Sequence, residues 1–242
     1  MDAIRIEGLT KNYKDTVAVD NLHLSIKEGE LFSLLGVNGA GKTTTIKILS
    51  GLVKPTKGDA FLMGKSICKD TAAAKALAAV SPQETAVALG LTVRENLELM
   101  CGAYNFSKEK QKAKIEEISG MLGLNAVLEK NAKKLSGGWQ RRLSIAMALI
   151  SEPEILFLDE PTLGLDVLAR SELWEIIRGL KGKITMILTT HYMQEAEMLS
   201  DRIGIMKNGR LIACDTAENL KQVAKTDKFE EAFVRIIKEA QA

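Results

Sequence analysis

The sequence predicts an α/β protein with a mostly parallel sheet at its core and a helical lobe inserted into that core. Three observations carry this. Short apolar runs alternate with amphipathic stretches in the first and last thirds of the chain, which is the pattern of strands joined by crossover helices. Leu31-Phe32-Ser33-Leu34-Leu35 is almost continuously apolar, as a strand buried on both faces requires. From about residue 85 to 153 the periodicity is helical and strand signals vanish.

The elements follow in order. Ala3-Ile4-Arg5-Ile6 and Leu22-His23-Leu24-Ser25-Ile26 alternate with period two and predict strands. After the run at 31–35 a glycine-rich turn leads into a helix with Ile46, Leu49 and Val53 on one face. Thr92-Val93-Arg94-Glu95 fits a capping box at the start of a helix. Ser107 can cap a charged helix that turns Ile115, Ile118 and Leu122 inward. A third helix is expected from about Trp139 to Ile150. Strands return at Ile155–Leu158, Ile184–Leu188 and Ile203–Met206, with an amphipathic helix from about Leu168 to Leu180 between the first two. The tail from about Lys228 to Ala242 predicts a final helix. The four prolines (Pro55, Pro82, Pro153, Pro161) all fall where apolar segments break.

Composition narrows the function classes. The 242 residues carry 33 Lys and Arg against 31 Asp and Glu, a net charge of +2. That balance argues against a partner recognised through its phosphate backbone, so no nucleic acid is expected. Charge-free stretches such as 31–41 and 118–128 reach about eleven residues, well short of the roughly 20 a membrane helix needs. The segment MDAIRIEGLT lacks the basic start and apolar run of a signal peptide, so the chain is not expected to cross a membrane by itself. Cys68, Cys101 and Cys214 have no paired spacing and predict buried hydrophobes in a reducing compartment, not ligands or disulfides.

The chemistry starts with Gly36-Val37-Asn38-Gly39-Ala40-Gly41-Lys42-Thr43, followed by Thr44. This is the P-loop pattern in its required place between a strand and a helix. Its glycines let several amides point at one anion, and the helix start adds a positive dipole end. Lys42 is expected to reach the β- and γ-phosphates and the Thr43 hydroxyl to coordinate Mg²⁺. The strand 155–158 ends in Asp159-Glu160, on the edge where α/β sheets bind ligands. Asp159 is the candidate to help hold the metal, leaving Glu160 to orient or deprotonate an attacking water.

A second helix start has the same anion-seeking character. Leu135-Ser136-Gly137-Gly138-Trp139-Gln140 offers an N-cap serine and two glycines that leave amides uncovered. Arg141 and Arg142 stand in the first turns, where cations oppose the helix dipole, so a carboxylate or anion is expected close by. Two phosphate-seeking elements with one strand-end acidic pair suggest that two copies of the chain, head to tail, each supply half of two sites.

At this point the sequence resembles the ATP-binding cassette (ABC) ATPases over nearly its whole length. The Ser-Gly-Gly signature is that family's hallmark. The resemblance implies a RecA-like P-loop NTPase core with an N-terminal antiparallel β subdomain and an inserted α-helical subdomain. It divides the chain into a nucleotide-binding lobe (1–84 and 154–225), a helical signature lobe (85–153) and a C-terminal helix (226–242). It also implies that Tyr13 stacks on adenine and that Gln83, in Ser-Pro-Gln-Glu, contacts Mg²⁺ or the lytic water. Glu160 takes the place of the catalytic carboxylate and His191 that of the switch histidine at the γ-phosphate. Asp166 matches the aspartate that communicates across the dimer, and Ser136, Gly137 and Gly138 would meet the nucleotide of the opposing subunit. His23, in an alternating strand, is expected to be structural.

The function so implied is an ATP-hydrolysing subunit that dimerises, as a homodimer, around two ATP. It would drive transport through a separate membrane permease, at the cytoplasmic face of the cell membrane. Thr189–Glu197 with Gly164-Leu165-Asp166 is similar to exporters of drugs, antibiotics, sodium or lipid, so export is expected over import. Trp139 and Val167 depart from that pattern, where a smaller or polar residue and a proline are usual. The alternative is a non-transport member acting on ribosomes or nucleic acid. A chromosome-organising relative needs a long heptad insertion, and Ser136 follows Gln83 by only 53 positions. Ribosome-binding relatives normally carry two cassettes joined by a charged linker.

Overall fold

The computed structural model describes residues 1–240. Two sheets lie at its centre. The first pairs β1 (Asp2–Tyr13), β2 (Thr16–Lys27), β4 (Lys57–Leu62) and β5 (Lys65–Ser66) antiparallel, in the order β2-β1-β4-β5. In β1 the inward set Ile4, Ile6 and Leu9 is buried while Arg5 and Glu7 face out, the alternation expected of a sheet with one packed face. The second sheet has the order β10-β9-β3-β8-β7-β6. It comprises β3 (Leu31–Gly36), β6 (Ala78–Ser81), β7 (Ile155–Asp159), β8 (Thr185–Thr190), β9 (Arg202–Lys207) and β10 (Arg210–Asp215). All its pairings are parallel except β9 with β10. Every residue of β3, β7 and β8 is buried, because both faces of the sheet are covered.

The helices are α1 (Lys42–Leu49), α2 (Thr71–Ala76), α3 (Val93–Ala103), α4 (Lys108–Met121) and α5 (Gly137–Leu149). After β7 come α6 (Val167–Leu180), α7 (Met193–Leu199), α8 (Ala217–Val223) and α9 (Phe229–Glu239). One apolar core joins the antiparallel sheet, α1 and one face of the parallel sheet, centred on Phe32, Ile48 and Phe157. A second joins α3, α4, α5 and α6 to the opposite face through Leu156, Leu158 and Leu188. The helical segment therefore shares a continuous core with the sheet. A third, smaller core packs Phe229, Phe233 and Ile236 of α9 against Ile203 and Ile205, at the i, i+4, i+7 spacing of one helix face.

The capping box of α3 is formed, with the Glu95 amide donating to Thr92 Oγ1 at 3.1 Å and the Thr92 amide to Glu95 Oε2 at 2.7 Å. Ser107 caps α4. Other expectations are corrected. Strands β1 and β2 run twelve residues each, because the second half of β1 and the first half of β2, beside the turn, pair through their backbones regardless of hydropathy. Helix α5 starts at Gly137, two residues early. Residues 241 and 242 of the expected tail helix lie outside the described residues. Of the cysteines only Cys101 is buried; Cys214 is half-buried and Cys68 exposed. Trp139 packs on the helical core with the Arg142 guanidinium 4.7 Å from its ring centre, while Val167 is 77% exposed at the start of α6. His23 sits on an edge strand, bonded to Asn21. Among the described residues no helix is long and apolar enough to cross a membrane.

Candidate active site

The loop from Val37 to Gly41 joins the central strand β3 to α1, so its amides collect at the carboxyl edge of the parallel sheet. Gly41 has φ +103°, and a Cβ there would stand 2.4 Å from the Ala18 carbonyl oxygen. No other residue fits that turn. The amides of Gly39, Gly41, Lys42 and Thr43 have no partner among the described residues, and all belong to one curl at a helix N-terminus, the arrangement that binds phosphate. The loop forms the floor of an open cleft of about 900 Å³, whose walls are Thr16–Ala18, Gln83, Glu160, Leu163 and His191.

Lys42 is 5% exposed and folds back into its own loop. Its Nζ donates to the Gly36 oxygen at 2.7 Å and the Val37 oxygen at 3.3 Å, and lies 3.8 Å from Glu160 Oε1. Burial pulls its pKa below the ordinary lysine value, and the charges of Glu160 and Asp159 oppose that pull. Thr43 Oγ1 donates to Asp159 Oδ1 at 3.2 Å, which brings together a hydroxyl and a carboxylate from two distant segments. Hard oxygen donors of this kind suit Mg²⁺. No group of three or more Asp, Glu, His or Cys able to hold a metal occurs among the described residues, so a cation here would need oxygens from a ligand as well.

Thr189, not singled out by the sequence, organises the acidic pair. Its hydroxyl donates to Asp159 Oδ1 at 2.5 Å and accepts from the Glu160 amide at 3.0 Å. Glu160 itself has φ +48°, a left-handed conformation that costs a non-glycine residue about 1–3 kcal/mol and gathers at functional sites. That turn brings its carboxylate, at the end of β7, to His191 beyond the end of β8, with Nδ1 to Oε2 at 2.8 Å.

Lys42, Thr43, Glu160, His191 and Gln83 thus line one cleft, with Asp159 buried behind Thr43. Gly36 closes β3, and Val37, Asn38, Gly39, Ala40 and Thr44 line the same floor. Tyr13 lies at the end of β1, 43% exposed with Lys11 Nζ 5.0 Å from its ring centre. It is not among the lining residues, the nearby wall being Thr16, Val17 and Ala18. Ser136, Gly137, Gly138 and Asp166 lie outside the cleft. They neighbour one another: a Cβ on Gly137 would stand 3.7 Å from Leu165, and one on Gly138 3.0 Å from Ala169. Asp166 caps α6 by accepting from the Ala169 amide at 2.9 Å. Ser136 occupies the N-cap position of α5, but its hydroxyl makes no cap bond.

The two arginines of α5 do not meet an anion together. Arg142 pairs with Glu172, whereas Arg141 is buried and donates to two backbone carbonyls, of Pro82 and Gln83. The sequence marks Arg141 but with a carboxylate or anion as its partner, where the fold supplies two carbonyls. Thr189 was not legible as a site residue, because it acts on atoms that only the fold places beside it.

The chain is similar to known proteins along most of its length. The family described as "ABC transporter" matches residues 19–163. The chain is 38% identical over 240 residues to the probable multidrug ABC transporter ATP-binding protein YbhF of Escherichia coli (strain K12). That match covers 97% of this chain but 41% of YbhF, so the chain spans well under half of that relative. It is 38% identical to the daunorubicin resistance ATP-binding protein DrrA3 of Streptomyces coeruleorubidus, covering 94% of this chain and 72% of DrrA3. Among solved structures, the dimeric post-hydrolysis ATP-binding cassette MJ0796 bound to ADP and Pi superposes with a TM-score of 0.79 at 28% identity. That alignment covers 88% of this chain and 98% of that one.

Proposed function

The chain belongs to the ABC transporter family, and from that premise we propose that it dimerises around two ATP and drives export through a separate membrane permease. The observation that carries the catalytic part is the convergence of Lys42, Thr43, Asp159, Glu160 and His191 at the ends of β3, β7 and β8. The uncovered amides of the loop and the Lys42 ammonium would bind the β- and γ-phosphates. Thr43, Asp159 and Gln83 would hold Mg²⁺, which neutralises phosphate charge when bound. Glu160, fixed by its amide bond to Thr189 and its contact with His191, would accept a proton from water attacking the γ-phosphorus. The products are ADP and phosphate, the pair held by the related MJ0796 cassette.

In this reading residues 1–84 and 154–225 form the nucleotide-binding lobe, and 85–153 the lobe whose Ser136-Gly137-Gly138 corner, with Asp166, meets the nucleotide of the second copy. Tyr13 would serve as the adenine platform after a movement of the hairpin it ends. The export direction draws support from the names of its relatives, a probable multidrug transporter protein and a daunorubicin resistance protein. Membrane association would come through the permease, at the cytoplasmic face.

The test is Glu160→Gln. Nucleotide affinity should stay within about twofold, turnover should fall about 10²–10⁴-fold, the span of a lost general base, and an ATP-bound dimer should accumulate in size-exclusion runs. Turnover near that of the unsubstituted protein would remove Glu160 from the catalytic role.

A further inference from the structure

Gln83 has an exposed side chain on a segment without regular structure, yet the backbone that carries it is tied down with unusual care. At the segment's entry, Arg141 donates from Nη1 to the Pro82 oxygen at 2.6 Å and from Nη2 to the Gln83 oxygen at 2.5 Å. Five residues on, the fully buried Asn96 of α3 clamps Ala88, accepting from its amide at 2.9 Å and donating to its oxygen at 3.1 Å. Just before the segment, Ser81 Oγ and Ser144 Oγ are 3.0 Å apart. Ser144 follows Arg141 by three positions, so both lie on one face of α5.

The choice of partners is informative. A buried guanidinium ordinarily pairs with a carboxylate, fork to fork. Here Arg141, 5% exposed, spends both terminal nitrogens on consecutive peptide oxygens. Two carbonyls that converge on one rigid planar fork must hold both peptide planes at a fixed angle. This fixes the direction in which the Gln83 side chain leaves the backbone. A lysine, a point charge on a flexible stem, could attract both oxygens but not set that angle.

We infer that Arg141 is the positioning residue for Gln83. Through it, Gln83 moves as one body with the first turns of α5, where Ser136 and Gly137 stand. The inference rests on the reading of Gln83 as a residue of the hydrolytic site. It gives that site a direct mechanical tie, inside one chain, to the corner offered to a second copy.

The experiment uses the purified full chain with Arg141→Met, Arg141→Lys, Gln83→Ala and the Arg141→Met/Gln83→Ala double variant. Cleavage after the exposed Glu84 by a glutamate-specific protease reads the loop directly. In Arg141→Met that cleavage should run at least tenfold faster, with cleavage elsewhere in the chain unchanged, and Arg141→Lys should recover part of the resistance. In steady-state hydrolysis Arg141→Met should lower kcat about tenfold while KM for ATP stays within twofold. The double variant should turn over no more slowly than Gln83→Ala alone. Unchanged cleavage after Glu84, in the methionine variant or, should that fail to fold, in the lysine one, overturns the inference, as does an additive loss in the double variant. Full turnover by Gln83→Ala would instead refute the reading of Gln83, and the cleavage result still decides whether Arg141 holds the loop.

Discussion

The cleft at the end of β7 and the start of α5 are both built to attract anions, but they differ in what they already hold. In the cleft, Lys42 is bonded to two carbonyls, Asp159 to Thr43 and Thr189, and Glu160 to His191. At α5 the Ser136 hydroxyl has no cap partner, and Gly137 and Gly138 leave the first amides of the helix uncovered. A ligand entering the cleft finds the loop amides uncovered but must displace the bonds of the Lys42 side chain. One arriving at α5 meets donors with nothing to give up. The difference fits two halves of a site: one that holds its shape alone, and one completed only by a group from outside the chain.

Two substitutions should separate these halves. Lys42→Ala removes the charged donor of the cleft and should weaken nucleotide binding to the isolated chain about 10²-fold, from charge-assisted bonds of about 1.5–3 kcal/mol each. Calorimetry on the monomer reads this directly, and unchanged affinity would show that the loop amides suffice. Ser136→Arg places a bulky cation at the open corner. Monomer affinity should stay within about twofold, while ATP-driven dimerisation weakens at least tenfold, since a desolvated or unpaired charge at an interface costs several kcal/mol. A dimer that persists in size-exclusion runs with ATP would break the comparison, because α5 would then not lie at the shared surface.

The contrast also shows what can be read without coordinates. The P-loop and Asp159-Glu160 are contiguous words whose chemistry depends on neighbours in sequence, and the apolar runs at 31–35 and 155–158 are visible because both faces of those strands are buried. Strand β6, Ala78–Ser81, is half-buried and alanine-rich, so it carries neither alternation nor a β-branched signal beyond Val80. The six-residue α2 is largely exposed, with Ala74 its only buried residue, and shows no amphipathic stripe. Strand β4 starts Lys-Gly-Asp and is paired through its backbone to β1. The roles of Arg141, Asn96 and Thr189 were illegible for another reason. Their partners are backbone atoms or a carboxylate that only the folded chain brings near, and no local pattern encodes such a meeting.

The smallest expected effect tests how complete the internal pairing around the cleft is. Behind it, three buried polar atoms have no hydrogen-bond partner among the described residues: Thr162 Oγ1, Arg170 Nε and Glu195 Oε2. Glu195 is fully buried, and its Oε1 accepts from Trp174 Nε1 at 3.0 Å. Burial raises its pKa above the ordinary carboxylate value, against the opposing pull of the nearby threonines, Trp174 and Arg170. Between the unfolded value, about 4.3, and the raised folded one, the folded chain keeps a proton that the unfolded chain has released. Stability therefore falls as pH rises through that window, and the penalty is complete above the folded pKa. Glu195→Gln keeps an acceptor for Trp174 and removes the charge. It should leave the melting temperature nearly unchanged at pH 4 and add about 1 kcal/mol of stability at pH 8, with turnover retained. A melting difference that does not grow with pH, or a less stable variant at pH 8, would mean that Arg170 depends on the Glu195 charge. The region behind the cleft would then be as fully paired as the cleft itself.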